Sequence, residues 1–243
     1  METKTYFHRL DASGETFESP DIDALSRLQR LHIQTVPFTN FYVRRFNGAS
    51  LDPAEVVPRI IASGGGLCYD LNSGFAWLLT ELGYDVTLIS GRVKRDDGSF
   101  GPEYDHLALL VDDHLVDVGF GDFARQPLPL NGDPHTDVSG TYRVVTRDDH
   151  HAAQKQTDDC WKDEYRFTLS ARTLDEFVEM ADYHSTSPDS PFTGPLLATR
   201  ATENGRVTLS GSTLTTKKHG EQTKQHVPPE RVDDLLRGEF GLS

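Results

Sequence analysis

The stretch Gly64-Gly65-Gly66-Leu67-Cys68-Tyr69-Asp70-Leu71-Asn72 places a cysteine between a glycine-rich loop and an apolar segment. From Leu71 the apolar positions continue at helical spacing to Leu82, and Gly83 follows as a stop signal. This pattern predicts a helix with Cys68 in, or just before, its first turn. Unpaired N–H groups and the positive end of the helix macrodipole favour a thiolate at such a position. The sequence therefore predicts a reactive thiol at Cys68.

Two segments further along the chain supply partners for that thiol. Residues 105–111 and 114–121 are typical of strands, and Asp112-Asp113 between them is typical of a hairpin turn. His106 opens the first segment and Asp117 ends the apolar run of the second, so a hairpin would bring them together. Each residue alone is more often structural than catalytic. In this order, Cys68, His106 and Asp117 predict a catalytic triad.

Four motifs and one histidine of the chain resemble those of one enzyme family, the arylamine N-acetyltransferases. The family pattern has Arg-Gly-Gly-x-Cys-x-Glu-x-Asn, a histidine opening an apolar strand, and Asp-Val-Gly-Phe-Gly. It also has Pro-Phe-Glu-Asn and Ser-Pro-x-Ser-Pro-Phe elements. The corresponding stretches here are residues 64–72, His106, residues 117–121, residues 36–40 and residues 183–192. The resemblance extends over residues from about 30 to about 210.

The resemblance implies an α+β fold with a cysteine-peptidase-like triad architecture. Residues 1–85 would form an N-terminal helical lobe that carries the cysteine. Residues 86–170 would form a central β-barrel-like lobe that carries the histidine and the aspartate. A C-terminal α/β lid would take residues 171–243, and the triad would lie at the junction of the first two lobes.

The same resemblance implies the chemistry. An acetyl group would pass from acetyl-CoA to Cys68 and then to an arylamine, hydrazine or N-hydroxyarylamine, with ping-pong kinetics. Phe38, Phe120 and Gly121 match substrate-pocket positions, although for the two phenylalanines ordinary core packing is an equally good interpretation.

Three positions depart from the family pattern. Gly64 stands in place of the arginine and Thr39 in place of the glutamate of Pro-Phe-Glu-Asn. In the family these two charges pair, so losing both leaves no orphaned buried charge. Asp70 replaces the second glutamate and shortens its arm, which predicts a rearranged polar support beneath the cysteine.

Periodicity and turn signals predict the remaining elements. The expected helices cover residues 22–33 after Asp21, 53–62, 174–183 and 228–238. The expected strands cover residues 86–90, 142–146, 165–169, 196–201 and 206–209. Residues 150–159 are predicted to form a polar loop.

Composition narrows the class of protein. The 243 residues carry a net charge of -14, which disfavours nucleic acid or an anionic membrane as a partner. No apolar stretch is long enough to span a membrane, and the first residues lack signal-peptide features, so we expect a cytoplasmic protein. Cys160 is expected to be a small packing residue rather than a disulfide partner of Cys68. The histidines lack metal-ligand spacing, so no metal is expected, and the sequence leaves the oligomeric state open.

Three other functions remain open at this stage. Some relatives of the family are amide synthases that close macrolactams, with the same chemistry and a different acyl donor. A cysteine peptidase or transglutaminase-like enzyme would use the same triad. A non-catalytic binding module with a vestigial triad is the third alternative, because positions 39, 64 and 70 are altered.

Overall fold

The computed structural model describes residues 3–242 apart from residues 16, 18, 47–50, 63 and 159. Its helices gather in the first third of the chain, and two more stand in the last third. They are α1 (Thr3–Arg9), α2 (Ile22–Thr35), α3 (Phe41–Phe46), α4 (Pro53–Ile61), α5 (Cys68–Glu81), a 3₁₀ turn (Leu174–Phe177), α6 (Val178–Thr186) and α7 (Pro229–Phe240).

The strands form two antiparallel sheets. The larger has the order β5-β4-β3-β2-β9-β8-β7-β6, and the smaller has the order β1-β10-β11-β12-β13. The larger sheet curls into a barrel-like shape, with β5 and β7 in contact. The strands are β1 (Phe38–Thr39), β2 (Val86–Val93), β3 (His106–Val111), β4 (His114–Val116), β5 (Leu128–Pro129), β6 (His135–Asp137), β7 (Gly140–Thr146), β8 (His151–Thr157), β9 (Cys160–Phe167), β10 (Leu197–Thr202), β11 (Gly205–Ser210), β12 (Thr213–Lys218) and β13 (Glu221–His226).

This α+β architecture confirms the predicted fold class. The division into lobes at residues 85 and 170 stays a prediction. Strand β1, within residues 1–85, pairs with β10, within residues 171–243, and Phe38 lies opposite Thr199. The smaller sheet therefore connects the first and the last of the three predicted lobes.

Strand β3 is buried on both faces, and this places His106. Leu107, Leu109 and Val111 pack with the helices in one apolar cluster. Ala108 and Leu110, on the opposite face, pack in the interior of the barrel-like sheet. Because side chains alternate along a strand, His106 shares the barrel-side face.

The helix predictions for α2, α4, α5 and α7 are confirmed to within a few residues. Asp21 caps α2 by accepting a 2.8 Å hydrogen bond from the N–H of Ala24, as its position before the apolar pattern suggests. Helices α1 and α3 were not predicted, because neither is long enough to show a helical period.

The predicted polar loop at residues 150–159 is wrong, because most of it is strand β8. Ala152, Ala153 and Gln154 are buried there, and the strand pairs with β7 on one side and β9 on the other. Two alanines give little apolar signal, so the neighbouring strands decide the structure rather than local propensity. Strands β12 and β13 escaped prediction for a similar reason: they are rich in Thr, Lys and Gln, and β13 is exposed along its whole length.

Candidate active site

Cys68 is the first residue of α5 and is 4% exposed. Helix α5 approaches the loop after β4 so closely that the loop needs a glycine there. A Cβ on Gly119 would lie 2.7 Å from Cα of Cys68 and 2.6 Å from Nδ2 of Asn72. The start of the helix and the loop that follows Asp117 are therefore in direct contact.

His106 and Asp117 form a buried pair. Nε2 of His106 lies 2.7 Å from Oδ2 of Asp117, and the two residues are 3% and 2% exposed. With Nε2 committed to Asp117, Nδ1 is the ring nitrogen left for Cys68. Cys68 and His106 line one cleft, and Cys68 helps to raise the pKa of the imidazole. The structure thus brings together all three predicted triad residues.

Strand β4 ends at Val116, so the prediction of a strand over residues 114–121 is too long. The backbone beyond it is bound by side chains instead of a neighbouring strand. The N–H of Val118 donates to Oδ1 of Asn72 at 3.0 Å, and the N–H of Gly119 donates to Oδ1 of Asp117 at 2.8 Å. Such local bonds compete with sheet pairing. They turn the chain at Asp117 and aim its carboxylate at His106.

Two further side chains hold the Asp117 carboxylate. Asn72 donates from Nδ2 to Oδ1 at 3.0 Å, and the hydroxyl of Tyr165 donates to Oδ2 at 3.0 Å. Asn72 belongs to the motif around the cysteine, one helical turn after it. Tyr165 lies on β9, and no sequence signal connected it with Asp117. Its contact depends on the pairing of β9 with β2, which brings distant segments together.

The electrostatics of the pair follow from these contacts. Burial favours the neutral acid at Asp117, but the charge of His106 and the donated hydrogen bonds outweigh burial and lower the pKa of Asp117. Burial also opposes the charge on His106. The interactions with Asp117 and Cys68 are larger together and raise the pKa of His106 to about 10. The raised pKa favours the protonated form of the His106 imidazole.

A cleft of about 800 Å³ opens onto Cys68 and His106. The three predicted substrate positions, Phe38, Phe120 and Gly121, all line it. The ring of Phe120 stands edge-on to the His106 ring, with 5.3 Å between centroids. Gly121 has φ of +90°, a left-handed conformation that suits glycine.

The far wall of the cleft is formed by residues between 171 and 243 and was not predicted. Its residues include Met180, Tyr183, His184 and Phe192. The ring of Phe192 meets that of Phe38 at 5.6 Å between centroids. Among the described residues that line the cleft, Lys94 and Arg95 are the lysine and arginine side chains.

The altered positions form a neutral and closed arrangement. Thr39 is 1% exposed, donates from Oγ1 to the carbonyl of Leu197 at 2.7 Å and accepts from the N–H of Phe41 at 3.1 Å. Asp70 pairs with Arg59 of α4. The polar support of Asp70 beneath the cysteine therefore includes an ion pair with Arg59, and its rearrangement relative to the family stays a prediction.

Cys160 is a free and exposed cysteine, so its predicted packing role is wrong. It is the first residue of β9, next to the turn of the β8–β9 hairpin, and does not enter the core.

Among the described residues, no cluster of three or more His, Cys, Asp or Glu side chains has a metal-binding arrangement. The helices within the described part of the chain are all too short or too polar to cross a bilayer.

Comparison with known proteins identifies the family. A family model described as N-acetyltransferase matches residues 21–243. Proansamycin X synthase of Amycolatopsis mediterranei (strain S699) is 32% identical over 259 residues, covering 99% of this chain and 99% of that protein. An arylamine N-acetyltransferase from Bacillus cereus, described as having a unique Cys-His-Glu catalytic triad, has a TM-score of 0.90 at 27% identity, covering 99% of this chain and 98% of that one. The chain belongs to the arylamine N-acetyltransferase family.

Membership makes this protein an acyltransferase and confirms the resemblance found in its motifs. A further arylamine N-acetyltransferase, from Mycobacterium marinum in complex with CoA, has a TM-score of 0.90 at 26% identity, covering 99% of this chain and 93% of that one. The arylamine N-acetyltransferase fold thus extends over nearly the whole chain.

Proposed function

We propose that this enzyme transfers an acetyl group from acetyl-CoA to the nitrogen of an arylamine or hydrazine, or to the oxygen of an N-hydroxyarylamine, through a thioester on Cys68. One observation carries the proposal: Cys68 faces an imidazole that a buried carboxylate holds in a single orientation. Asp117 orients His106, and His106 removes the proton from Cys68.

In the first half-reaction the Cys68 thiolate attacks the carbonyl carbon of the donor thioester. The tetrahedral oxyanion that forms is stabilised by backbone N–H groups at the start of α5, including that of Cys68. Collapse of this intermediate breaks the bond to the coenzyme A sulfur. His106 gives the proton it took from Cys68 to the departing sulfur, so coenzyme A leaves as a thiol, and acetyl-Cys68 and a neutral His106 remain. Lys94 and Arg95 are the cleft residues suited to the phosphates of this donor.

In the second half-reaction the acceptor nitrogen attacks the acetyl-Cys68 carbonyl. His106, neutral at this stage, takes a proton from that nitrogen, and the thiolate of Cys68 is the leaving group. Phe38, Phe120 and Phe192 give the cleft aromatic walls for a flat acceptor. Because both half-reactions use one thiol, the kinetics should be ping-pong.

Intact-protein mass spectrometry tests this function. Incubation with acetyl-CoA alone should add one acetyl group, and adding an arylamine or a hydrazine should remove it. Cys68→Ala should not be acetylated, whereas the control Cys160→Ala should behave as the wild type. Absence of acetylation in the wild type would rule out acetyl-CoA as the donor.

A second candidate is an amide synthase that moves a long acyl chain onto an aromatic amine. The match to Proansamycin X synthase over 99% of the chain favours it. A cleft of about 800 Å³ also lies well within the size range of pockets that hold drug-sized molecules. Acylation of Cys68 by a long-chain acyl thioester but not by acetyl-CoA would select this function.

A further inference from the structure

The glycine loop before Cys68 packs against Arg59 of α4, which lies outside the motif around the cysteine. A Cβ on Gly64 would lie 2.4 Å from the carbonyl oxygen of Arg59 and 2.9 Å from Cγ of Arg59. Arg59 therefore occupies the space where a side chain at position 64 would begin. The chain lacks the motif arginine at 64, and the carbonyl group and Cγ of Arg59, from α4, pack against Gly64.

The guanidinium of Arg59 is directed at Asp70. Nη2 of Arg59 donates to Oδ1 of Asp70, and the Arg59 side chain also stands 5.4 Å from the centre of the Tyr42 ring. The side chain of Asp70 is 3% exposed and that of Arg59 is 23% exposed. A carboxylate this deeply buried requires a cationic or hydrogen-bonding partner.

The other oxygen of Asp70 holds the start of the catalytic helix. Oδ2 accepts a 2.8 Å hydrogen bond from the N–H of Leu67, the N-cap residue of α5. A Cβ on Gly66 would lie 2.4 Å from this oxygen, so the loop closes tightly around the carboxylate. This is half of a capping box, in which a side chain in the first turn reaches back to the N-cap. The residues on both sides of Cys68 are thus fixed through Asp70.

We propose that Arg59 is a positioning residue for Cys68: by holding Asp70, it fixes the loop and the first turn that present the thiol to His106. The proposal rests on Cys68 being the nucleophile of the proposed function. In this arrangement Arg59 supplies the cation that supports the shorter carboxylate of Asp70.

Alkylation by iodoacetamide tests the proposal without any acyl donor. Rates at Cys68 and Cys160 are measured separately by peptide mass mapping, so the exposed Cys160 is an internal reference in every sample. An ordinary thiol is only about 3% thiolate at pH 7, so loss of the pairing with His106 lowers reactivity by at most about 30-fold.

Arg59→Gln should slow alkylation of Cys68 at pH 7 by about tenfold and leave Cys160 unchanged. Its Cys68 rate should rise steeply with pH, whereas the wild-type rate should be nearly flat. Arg59→Lys, which keeps the charge, should stay within about threefold of the wild type. Arg27→Gln, which breaks the exposed pair with Glu15, is the matched control and should change nothing.

The double variant Arg59→Gln/Asp70→Asn should react faster at Cys68 than Arg59→Gln, because it buries no unpaired charge. It also provides the test if the single variant does not fold. An unchanged Cys68 rate in Arg59→Gln would overturn the proposal. So would a faster rate, because a loop that merely opens exposes the thiol. Normal alkylation behaviour in a protein that acetyl-CoA does not acylate would leave the positioning role intact and reject the donor.

Discussion

Tyr165 donates a 3.0 Å hydrogen bond to Oδ2 of Asp117, the same oxygen that binds Nε2 of His106. The His106 and Tyr165 rings also lie 5.0 Å apart between centroids. Burial, together with the adjacent Asp117, raises the pKa of Tyr165 well above its usual value, so the phenol remains a donor throughout the working pH range. Tyr165 thus holds the Asp117 carboxylate in position against the His106 imidazole, from the side of the barrel-like sheet.

Removing this hydroxyl should weaken both stability and catalysis. Tyr165→Phe keeps the ring and leaves one carboxylate oxygen with one donor fewer. We expect a loss of about 1 to 2 kcal/mol in the free energy of unfolding. The rate of Cys68 acetylation should fall about tenfold or less, because His106 still binds Asp117. Denaturant unfolding and single-turnover mass spectrometry measure the two effects. Tyr183→Phe, at the exposed edge of the cleft, is the control and should leave stability unchanged.

Neutralising Asp117 itself should be far more damaging. Asp117→Asn keeps the size of the side chain but removes the charge that stabilises the imidazolium and fixes its tautomer. The corresponding change in other His-carboxylate systems lowers kcat by about 10⁴-fold. We expect a loss of similar size in acetyl transfer, with far-UV circular dichroism unchanged. Activity within tenfold of the wild type would mean that Asp117 does not orient the base.

The sequence was sufficient to predict that Cys68, His106 and Asp117 lie together, because all three lie next to strong local signals. Cys68 stands between glycines and a helical period, and His106 and Asp117 flank a short hairpin. Tyr165 and Arg59 carry no comparable signal. Tyr165 reaches the site only through the pairing of β9 with β2, and Arg59 only because α4 packs on α5. Contacts that depend on the packing of separate elements cannot be obtained from local periodicity.

Strand β8 illustrates the same limit for the fold. Its buried residues, Ala152, Ala153 and Gln154, have weak strand propensity, and the neighbouring polar residues suggested a loop. Pairing on both sides compensates for that propensity. Helix α5, in contrast, shows its full apolar period and a terminal glycine, and both of its ends were predicted closely.

The cations of the cleft should determine affinity for the donor. Lys94→Gln and Arg95→Gln each remove a positive charge from the cleft wall without touching the triad. We expect each to raise KM for acetyl-CoA by about three- to tenfold, with kcat nearly unchanged, because one charge-assisted hydrogen bond is lost. The KM of the wild type for acetyl-CoA should rise with ionic strength more steeply than the KM of a variant that carries both Lys94→Gln and Arg95→Gln. Arg231→Gln, outside the cleft, is the control. Equal salt dependence in both proteins would contradict a phosphate contact.

His32 should make the helical part of the protein sensitive to acid. It is fully buried, its Nε2 lies 3.0 Å from the Tyr6 hydroxyl, and burial followed by the charge of Arg9 lowers the pKa of His32 to about 3. Between pH 6.5 and 3 the unfolded chain binds a proton that the folded protein does not, so stability falls as the pH falls. The slope from one such group is at most about 1.4 kcal/mol per pH unit.

His32→Gln should remove this contribution while keeping an acceptor for Tyr6. The free energy of unfolding, measured in urea from pH 7 to pH 5, should fall less steeply in the variant, by about 2 kcal/mol over that interval. The comparison uses the slopes, so a uniform loss of stability from the substitution does not affect it. Parallel curves for the two proteins would show that folding does not lower the pKa of His32.

The contact between Gly119 and α5 should tolerate no side chain. In Gly119→Ala the new methyl group would lie 2.7 Å from Cα of Cys68, which is backbone and cannot move aside without shifting the helix. We expect a loss of about 1 to 3 kcal/mol in stability and a larger proportional loss of Cys68 acetylation, because the strain falls on the nucleophile. Gly238→Ala in α7 is the matched control, since a Cβ there meets nothing within 4 Å. That change should be neutral or stabilise the helix by up to about 1 kcal/mol. If both variants acetylate Cys68 at the wild-type rate, the close approach of the loop to the helix is not what places the thiol.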